Sequence, residues 1–573
     1  FLGLNNDSDG DGVLNPGETA ILEFTMSNMS EDVLAYAITG TLSSEHPITF
    51  TNPIIEFGDL AASQSSFSHF VEIILSEDIP LGDIPISLEI NAEYIQGSNL
   101  LFYNDIYSFD INVSLNQGGF PSEFYFPASS SPIMMNVDND AELEMVFGDF
   151  DGKIRAFNSD GTPVQNNTYP YSTGDQIWGS LASADIDLDG IQDFIIGSKD
   201  KHLYFFDENG FKGSYDAGSF LIGTPAIGNI DDDPELEVIL GGCSSGDGRK
   251  VFAVNHDQTA VSGFPVFVGE KIKRGVALAD FDANGKDDIV FGTDSDNVYL
   301  MYDSGLIADG FPYETSGNIN SDPAVLDSDG DLMIVVGSND NHLYAINADG
   351  SLEFSFEAQH NVETSPSFLD NENDCYIFFG DNAGILYGID HHGNSLPSFP
   401  IDIGSTVIGS VIFSDLDFDT NPEIIFGTDT GDMYVLHLDG SSYSQMPIPY
   451  SFSYYSAPLI YDLDGDSDLE IIAGTSLSIN VFDIKEPGSN NGYWSMFRGN
   501  PRRNGLHQFT PLCEYGDVNA DGSIDILDII DQINFILNVE TPSDADICAA
   551  DLNGDLNLDL LDCILLINII LNQ

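Results

Sequence analysis

The stretch ASADIDLDGIQDFIIGSKDKHLYFFDENG, from Ala182 to Gly210, decides the fold. It contains small residues, an acidic loop, an apolar run that ends in Gly197, a polar turn, an aromatic run and an Asn-Gly turn. Short apolar runs bounded by glycine and polar turns are typical of β-strands, and Asn-Gly predicts a hairpin turn. The stretch therefore predicts three consecutive strands: Ser180–Ala184, Phe194–Ile196 and Leu203–Phe206.

The same pattern recurs eight times between about residues 130 and 484. Each copy contains one anchoring glycine at the end of its second apolar run, and neighbouring glycines are 43 to 51 residues apart. A period of roughly 40–50 residues with all-β patterning is that of propeller blades, each a four-stranded sheet. The anchoring glycines are Gly148, Gly197, Gly241, Gly292, Gly337, Gly380, Gly427 and Gly474.

A proline-containing triplet opens several of the fourth strands, since proline fits the start of an outer edge strand. The triplet also occurs at Gly119–Pro121, ahead of the first inner strand, where no blade precedes it. This predicts that Phe120–Phe126 is the outer strand of blade eight and closes the ring, which removes its open sheet edges. Trp494–Gly505 is expected to pack over the seam. The other triplets are Gly263–Pro265, Gly310–Pro312 and Ser398–Pro400.

An acidic loop with the spacing D-x-[DN]-x-D-x-x-x-[DE] joins the first two strands of most blades. Calcium prefers six to eight oxygen ligands, and alternate side chains of a tight loop can converge on one ion. Six such loops in phase with the repeat favour calcium sites over plain acidic turns. The predicted ligands are Asn136, Asp138, Asp140, Glu144; Asp185, Asp187, Asp189, Asp193; Asn229, Asp231, Asp233, Glu237; Asp280, Asp282, Asn284, Asp288; Asp415, Asp417, Asp419, Glu423; and Asp462, Asp464, Asp466, Glu470.

Blades five and six depart from this pattern. The first acidic residue lies ten positions before the glycine in Asp327–Gly337 and in Asp370–Gly380, against twelve in the other blades. Both loops also lack the carboxylate at the ninth position. The sequence therefore predicts no well-occupied calcium site there.

The Phe-Gly pairs that end several second strands carry a family resemblance: Phe147-Gly148, Phe291-Gly292, Phe379-Gly380 and Phe426-Gly427. Together with the acidic loops, they make residues 118–510 resemble the FG-GAP repeats of integrin-α-like propellers over about 370 residues. The resemblance implies that the ions mainly stiffen the loops and that ligands bind to other surfaces.

Residues 1–117 are predicted to form a separate domain. Thr19–Ser27 and Ile86–Tyr94 alternate apolar and polar residues, as half-buried strands do. The domain resembles an Ig-like β-sandwich opened by an Asn-Pro-Gly-Glu loop. Its first residues follow the twelve-residue EF-hand-type calcium loop, with the ligands Asp7, Asp9, Asp11, Asn15 and Glu18.

Residues 511–573 contain two acidic loops about 34 residues apart, each followed by an apolar segment that reads as a helix. This arrangement resembles a type I dockerin, although Leu556 stands where glycine is usual. The ligands that match the family's loops are Asp517, Asn519, Asp521, Asp525, Asp528, and Asp551, Asn553, Asp555, Asp559, Asp562.

The starts of these two helices are the expected docking surface, because dockerins contact a cohesin there. The matching residues are apolar: Ile526, Leu527, Leu560 and Leu561. A module of this size needs some of them in its small core. Since both helices are apolar on nearly all sides, a partner surface is favoured. The partner is a cohesin-like protein, another domain of the chain or a neighbouring copy.

The charge balance is strongly acidic, with 94 Asp and Glu against 15 Lys and Arg, a formal charge of −79. Such a surface repels nucleic acid and anionic membranes. The excess of acidic residues is explained partly by metal ligands and partly by a solvated acidic coat.

No apolar run is long enough to span a membrane. We expect an extracellular product without its targeting segment, with a Cys513–Cys548 disulfide; Cys243, Cys375 and Cys563 are expected to be buried small residues.

Three functional hypotheses remain open. The first is a secreted or cell-surface adhesion protein whose propeller recognises a glycan or a protein and whose tail docks to a partner. The second is a structural subunit of an extracellular filament or surface layer. The third is a calcium-dependent polysaccharide lyase, which the scarcity of basic residues disfavours. No catalytic motif is present in the sequence, so we expect a protein that is not an enzyme.

Overall fold

The structure, a computed structural model, shows a mainly β protein, and the part of its C-terminal region that it describes includes two helices of more than ten residues. It describes residues 1–8, 10–138, 142–328, 331–371, 374–509, 516–519, 523–524, 526–537, 539, 542, 549–550, 552, 558 and 560–572, with the side chains of 561, 568, 571 and 572 excepted.

The N-terminal region contains two four-stranded sheets that share one hydrophobic core. Leu22 and Ile73 contribute to this core from one sheet, and Ile86 and Ile90 contribute from the other. Burial alternates along the strands, as the sequence pattern predicts for half-buried strands. The first sheet is β1 (Gly3–Asp7), β2 (Thr19–Phe24), β6 (His69–Leu75) and β4 (Ile48–Phe50); the second is β5 (Ile54–Leu60), β3 (Ala35–Ser43), β7 (Gly82–Gln96) and β8 (Asn99–Val113).

Eight sheets follow one another between residues 122 and 487, and we number them units 1 to 8. Within a unit the four strands pair antiparallel in sequence order, apart from the outer strand of unit 8. Units 1 to 4 are β10 (Ile133–Met135), β11 (Glu144–Gly148), β12 (Lys153–Phe157), β13 (Tyr171–Ser172); β14 (Ala182–Ala184), β15 (Asp193–Gly197), β16 (His202–Asp207), β17 (Gly210–Asp216); β18 (Ala226–Gly228), β19 (Glu237–Gly241), β20 (Lys250–Val254), β21 (Val266–Phe267); and β22 (Ala277–Ala279), β23 (Asp288–Gly292), β24 (Asn297–Met301), β25 (Tyr313–Glu314).

Unit 5 has a fifth strand, which joins it from the far end of the repeat region. This strand, β41 (Leu506–Phe509), pairs parallel with the innermost strand of unit 5. Units 5 to 8 are β26 (Ala324–Ser328), β27 (Asp331–Gly337), β28 (His342–Asn347), β29 (Leu352–Glu357); β30 (Ser367–Asn371), β31 (Asp374–Gly380), β32 (Ile385–Asp390), β33 (Ile401–Asp402); β34 (Val407–Ser414), β35 (Glu423–Thr428), β36 (Asp432–Leu436), β37 (Ile448–Pro449); and β38 (Leu459–Tyr461), β39 (Asp468–Gly474), β40 (Ser478–Pro487), β9 (Ser122–Glu123).

The outer strand of unit 8 comes from before unit 1. β9 pairs antiparallel with β40, with Glu123 opposite Ser478 and Ser122 opposite Ile479. It lies inside the segment Phe120–Phe126, directly after Pro121, and is shorter than that segment. The first and last parts of the repeat region therefore share one sheet.

The anchoring glycines leave room for the neighbouring unit. A Cβ atom on Gly292 would lie 2.1 Å from Ile319 Cγ2, which belongs to the connection into unit 5. The same clash would occur from Gly148 to Ile177 at 2.5 Å, and Gly474 of unit 8 would meet Ala128 ahead of unit 1 at 2.6 Å. These contacts explain the recurring glycine, because each unit packs an apolar side chain over the glycine of the unit before it.

The segment Trp494–Gly505 differs from the sequence-based expectation that it packs over the seam. Its carbonyl oxygens accept amide N–H groups from the innermost strands of six units, so it follows the centre of the run of sheets rather than one junction. We call this segment the plug. The donor–acceptor pairs are Phe413–Trp494 (3.0 Å), Ile460–Ser495 (3.1 Å), Ser183–Pro501 (2.8 Å), Ile227–Arg502 (2.9 Å), Leu278–Asn504 (2.9 Å) and Val325–Gly505 (2.8 Å).

Two arginines of the plug, Arg498 and Arg503, are fully buried. All the hydrogen bonds recorded for the two guanidinium groups run to backbone carbonyl oxygens. The sequence pattern did not single them out, because nothing in their local context marks them as buried. Their acceptors are Arg503 (2.7 Å), Pro323 (3.0 Å) and Val276 (2.6 Å) for Arg498, and Leu181 (3.0 Å), Pro132 (3.1 Å) and Phe497 for Arg503.

The C-terminal region contains α1 (Ile526–Ile536) and α2 (Leu560–Asn572). They confirm the two helices that the sequence predicts after the acidic loops of this region. A small core includes Val518, Ala550 and Leu566. Neither of the two described helices is long and apolar enough to cross a membrane.

Candidate calcium sites and ligand surfaces

The acidic loops of units 2, 4 and 7 share one backbone conformation. In unit 2 both oxygens of Asp185 accept amide N–H groups, from Asp189 at 3.0 Å and from Gly190 at 2.9 Å. The fourth and sixth loop residues are left-handed, with φ of 58° at Leu188 and 91° at Gly190. The equivalent bonds in units 4 and 7 run to Asp280 from Asn284 (3.0 Å) and Gly285 (2.7 Å), and to Asp415 from Asp419 (3.0 Å) and Thr420 (3.0 Å).

The ninth loop position carries a buried carboxylate in all six units. This residue lies in the second strand, as its first residue in all units but unit 8, and one of its oxygens accepts the amide N–H of the second loop residue. The bond ties the carboxylate to the loop backbone. The pairs are Glu144–Val137 (2.7 Å), Asp193–Ile186 (3.2 Å), Glu237–Ile230 (2.9 Å), Asp288–Phe281 (2.9 Å), Glu423–Leu416 (2.8 Å) and Glu470–Leu463.

Carboxylate oxygens converge to within 4.8 Å of one another in several loops, a spacing that suits a shared cation. Unit 8 departs from the prediction, because its cluster includes Asp468, whereas Asp462 Oδ1 accepts the Gly465 amide at 2.8 Å. Asp468 begins β39 and lies outside the spacing that the sequence pattern follows. The clusters are Asp185, Asp187, Asp193; Asp231, Asp233, Glu237; Asp280, Asp282, Asp288; and Asp464, Asp466, Asp468, Glu470.

The loops of units 3 and 8 carry the best fit to calcium. Glu237 Oε1, Glu470 Oε1 and Asp468 Oδ1 are buried and have no hydrogen-bond partner among the described residues. Burial, followed by neighbouring carboxylates, raises the pKa of Glu237 to about 8 and that of Glu470 to about 10. A buried anion without a partner is costly. Calcium bound at the loop centre would remove this cost, so these residues fit the ion.

Unit 2 has the clearest loop by sequence, yet a lysine enters it. Lys212 Nζ, from the outer strand β17, lies 2.8 Å from Asp187 Oδ2 and 2.7 Å from Asp193 Oδ1. The ammonium group therefore bonds two of the four predicted ligands. Spacing within the loop could not reveal this, because Lys212 lies nineteen positions after Asp193.

Units 4 and 7 satisfy their ninth-position carboxylates in other ways. The second oxygen of Asp288 accepts the Asp303 amide at 2.9 Å. Glu423 Oε1 lies 3.1 Å from His437 Nδ1. Burial is the main cause that raises the pKa of each carboxyl to about 7.

The remaining acidic loops of the repeat, in units 1, 3, 5 and 6, differ from one another. In unit 3, Asn229 donates its Nδ2–H to the Asp233 carbonyl at 3.1 Å. In unit 1, Asn136 and Asp138 precede a gap that contains Asp140, so Asp140 lies outside the described residues. In units 5 and 6, Asp327 and Asp370 lie within strands that pair with the following strand, with Ser328 opposite Asp331 and Asn371 opposite Asp374. The two acidic residues thus belong to paired strands rather than to a wrapped loop.

The N-terminal loop folds around Glu18. Glu18 Oε1 accepts the amide and hydroxyl of Ser8 at 3.0 and 2.8 Å, and Oε2 accepts the Asn15 amide at 3.0 Å. Asp7 Oδ2 accepts the Gly12 amide at 2.8 Å, and Asp11 Oδ1 accepts that of Val13 at 2.7 Å. The predicted ligand Asp9 lies outside the described residues.

The two C-terminal loops share a buried aspartate at the start of the following helix. Asp528 Oδ1 accepts the Asn519 amide at 3.1 Å, and Asp562 Oδ1 accepts the Leu552 amide at 3.0 Å. Asp517 is also buried. The remaining predicted ligands and the cysteine pair Cys513–Cys548 lie outside the described residues: Asp521, Asp525, Asp551, Asn553, Asp555 and Asp559.

The helix starts predicted to dock a partner are exposed. Ile526 is 67 % exposed, Leu527 49 % and Leu560 73 %. The side chain of Leu561 is outside the described part of the chain. Ile530 and Ile564, one turn further along each helix, are also exposed. The apolar surface therefore continues along both helices rather than entering the small core.

A cavity of about 270 Å³ opens at the centre of the run of sheets, and all eight units and the plug residue Phe497 contribute to its lining. We call it the mouth. It lies at the strand ends opposite the acidic loops, because the connections between units, rather than the loops, surround it. Its rim carries exposed Trp178 and Tyr455 together with Lys273 and Arg274. Sequence patterns could not reveal this surface, because its residues come from separate units.

Comparisons with known proteins identify one family. Residues 515–571 match the Dockerin type I domain, and the C-terminal region is a dockerin type I domain. No curated protein matches the chain.

Solved structures with a similar fold include β-propellers. BamB from Moraxella catarrhalis has a TM-score of 0.42 at 12 % identity and covers 62 % of this chain and 96 % of its own. The WD40 β-propeller domain of Doa1 has a TM-score of 0.37 at 11 % identity, and the match covers 64 % of this chain and 95 % of that domain. BBS1N, solved in a complex, has a TM-score of 0.37 at 13 % identity, and the match covers 54 % of this chain and 92 % of BBS1N.

Proposed function

We propose that the protein is an extracellular, calcium-dependent scaffold that docks through its dockerin domain and presents a closed propeller as a recognition platform. The exposed apolar helix starts of the dockerin domain carry this proposal. Dockerin domains bind cohesin partners and are typical of extracellular or cell-surface proteins. Exposed isoleucine and leucine side chains are costly in water, and a partner surface would cover them.

A pull-down tests the docking function. The full chain is passed over an immobilised cohesin domain with calcium and then with a chelator. Retention with calcium and release with chelator support the proposal. The double variant Ile526→Asp, Leu560→Asp should lose retention, because charge enters a surface that must be desolvated. Val539→Asp, exposed but outside the helices, is the matched control; equal loss in both variants, or retention of the double variant, contradicts the docking surface.

The eight units are proposed to form one eight-bladed ring, stiffened by calcium in the acidic loops of units 1, 2, 3, 4, 7 and 8. Pairing of β9 with β40 supports closure. The contact of Gly474 with Ala128 supports it too, since it repeats between the last and first units the packing seen within the run. The N-terminal sandwich, which we propose to be Ig-like, adds one further calcium loop.

The mouth is the proposed recognition site, and its chemistry suits an acidic polysaccharide. Exposed Trp178 and Tyr455 offer flat apolar faces for sugar rings. Arg274 has no carboxylate oxygen within 4.0 Å in the described part of the chain, and Lys199 lies 4.9 Å from the Trp178 ring. Asp322 and Glu363 also line the mouth. In a chain with 15 basic residues, cations beside a rim of aromatic residues favour an anionic ligand.

Binding to polygalacturonate tests this site, with an uncharged polysaccharide as the comparison polymer. Trp178→Ala and Arg274→Ala should each weaken binding at least tenfold, and salt should weaken it further. Arg502→Ala is the matched control, because it removes the same charge from an exposed plug residue that does not line the mouth. Binding that is unaffected by either mouth variant, or equal on both polymers, contradicts the site.

A structural role in an extracellular assembly is the second candidate. The long hairpin of β7 and β8 carries exposed Leu100, Phe102 and Ile106 away from the sandwich core. Such a patch favours a contact between copies. Concentration-dependent association in sedimentation experiments that Phe102→Asp removes would favour this role. We propose no enzymatic activity; product release from an acidic polysaccharide would contradict that.

A further inference from the structure

Unit 6 has no wrapped acidic loop, but a different set of metal-ligating side chains meets at the same hairpin. Asp370 of β30 and Cys375 of β31 are directly opposite one another in the sheet. His507 of β41 reaches them, with its Nε2 atom 2.6 Å from Asp370 Oδ1. One ligand atom from each residue lies within 4.8 Å of the other two. Two consecutive strands of unit 6 and one strand more than 130 residues further along the chain thus bring a carboxylate, a thiol and an imidazole together.

The geometry points to a zinc site formed by Asp370, Cys375 and His507, with a water molecule as the fourth ligand. Sulfur and nitrogen ligands with one carboxylate select zinc rather than calcium, which takes oxygen ligands. In a tetrahedral site with zinc–ligand distances of about 2.0–2.3 Å, the ligand atoms are roughly 3.3–3.7 Å apart. To reach that spacing, the 2.6 Å contact between Asp370 Oδ1 and His507 Nε2 must open slightly, and the other separations, at most 4.8 Å, must close by up to about 1.5 Å.

The surroundings favour a fixed site with one open position. His507 stacks on Phe368 at 5.4 Å between ring centroids and meets the Trp494 ring edge-on at 5.8 Å, which holds its orientation. Cys375 is 1 % exposed and the His507 side chain 14 %, whereas that of Asp370 is 40 %. Solvent therefore reaches the cluster on the Asp370 side. A metal would enter there, and a water ligand would remain there.

Charge balance also fits a divalent cation. Binding releases the thiol proton and any proton on His507 Nε2, and leaves one thiolate and one carboxylate around the ion. Two negative charges on Zn²⁺ leave the site neutral, which suits a buried position. The alternative is an ion pair of Asp370 with His507 beside an inert thiol, as a buried cysteine often is.

The site would fasten the chain where it leaves the run of sheets. His507 belongs to β41, which pairs with unit 5, while Asp370 and Cys375 belong to unit 6. Zinc would therefore join β41 to the neighbouring unit, a few residues before the dockerin domain begins at residue 515. The exit point of that domain would become fixed.

Cobalt substitution of the full chain tests the proposal, with calcium in excess so that the oxygen sites are filled. Co²⁺ should bind with one equivalent and produce the near-ultraviolet absorption of a thiolate–cobalt bond. Cys375→Ser should abolish that absorption, and His507→Ala should weaken zinc binding at least tenfold. Cys243→Ser, at a half-buried thiol in unit 3, is the control and should change neither.

Native mass spectrometry gives a second readout. The wild-type chain should retain one zinc ion, and Cys375→Ser and His507→Ala should lose it. Both variants should still melt at a temperature that depends on calcium, which would show that they are folded. An absent cobalt band, or a band that survives in Cys375→Ser because another cysteine supplies the thiolate, overturns the proposal.

Discussion

Arg503 donates its Nε–H to the carbonyl oxygen of Leu181 at 3.0 Å, across 322 residues of sequence. The same guanidinium reaches Pro132, so one side chain joins the plug to the entries of units 1 and 2. Arg498 does the same for units 4 and 5 through Val276 and Pro323. The two arginines of the plug therefore donate hydrogen bonds to backbone carbonyl groups at the centre of the sheets. Burial keeps these carbonyl groups from water, so they need donors from the protein.

Arg503→Met should lower the free energy of unfolding by about 3 kcal/mol or more, because it leaves several buried carbonyl groups without donors. Arg503→Lys should recover little, since an ammonium group cannot span the same acceptors. Chemical denaturation of the calcium-loaded protein measures the change. Arg502→Met, at an exposed position beside it, should change stability by less than about 0.5 kcal/mol. Equal effects at both positions would show that the buried bonds contribute little.

Gly292→Ala should destabilise the protein by about 1–3 kcal/mol, because the added methyl group would lie 2.1 Å from Ile319 Cγ2. The double variant Gly292→Ala, Ile319→Ala should lose less stability than Gly292→Ala and Ile319→Ala lose in sum, because the space vacated by isoleucine accepts the methyl group. Gly197→Ala, whose nearest contact is 3.0 Å, is a milder comparison. Thermal unfolding measures all four variants, and a double variant that loses as much stability as the two single variants together would argue against unit-to-unit packing.

Lys212→Met should increase the calcium affinity of unit 2 by roughly tenfold, about 1.4 kcal/mol. The ammonium group bonds Asp187 and Asp193 and competes with an ion for them. At a fixed low calcium concentration, native mass spectrometry should count one more retained ion in the variant. Lys153→Met, which removes a lysine outside the acidic loops, should leave the count unchanged. A lower count in Lys212→Met would mean that the lysine supports the site.

Thr420→Gly should stabilise the protein by about 1 kcal/mol, because Thr420 has φ of 74° at a loop position where units 2 and 4 have glycine. The reciprocal change Gly285→Thr should destabilise unit 4 by a similar amount. Denaturation midpoints with and without calcium measure both. Loss of stability in Thr420→Gly would show that the threonine side chain makes a compensating contact.

The calcium-free protein should lose stability as the pH rises from about 5 to about 8. Burial raises the pKa of Glu237 to about 8 and that of Asp288 to about 7, so the folded state binds more protons than the unfolded state in this interval. Calcium should reverse the trend, because it replaces those protons. Melting temperatures at several pH values, with chelator and with calcium, measure the two slopes; a calcium-free stability that rises with pH contradicts this account.

The sequence predicted what depends on local pattern. The spacing of the glycines from Gly148 to Gly474 anticipated the sheet units. The shortened spacings at Asp327 and Asp370 set units 5 and 6 apart from the others, and in the structure both residues lie within paired strands. What it could not predict depends on residues that meet only after folding. Lys212 enters its loop from another strand, Asp468 replaces Asp462 in unit 8, and the plug follows the centre of the sheets rather than the seam. The mouth and the cluster at Cys375 arise in the same way.

The pairing of β9 with β40 has a consequence for biosynthesis. The ribosome synthesises β9 (Ser122–Glu123) long before its partner β40. The early strand therefore stays unpaired until the intervening units have been synthesised. A truncated chain would keep that strand without a partner and expose a sheet edge to other molecules. Only a chain that extends through β40 can therefore pair β9 and complete unit 8.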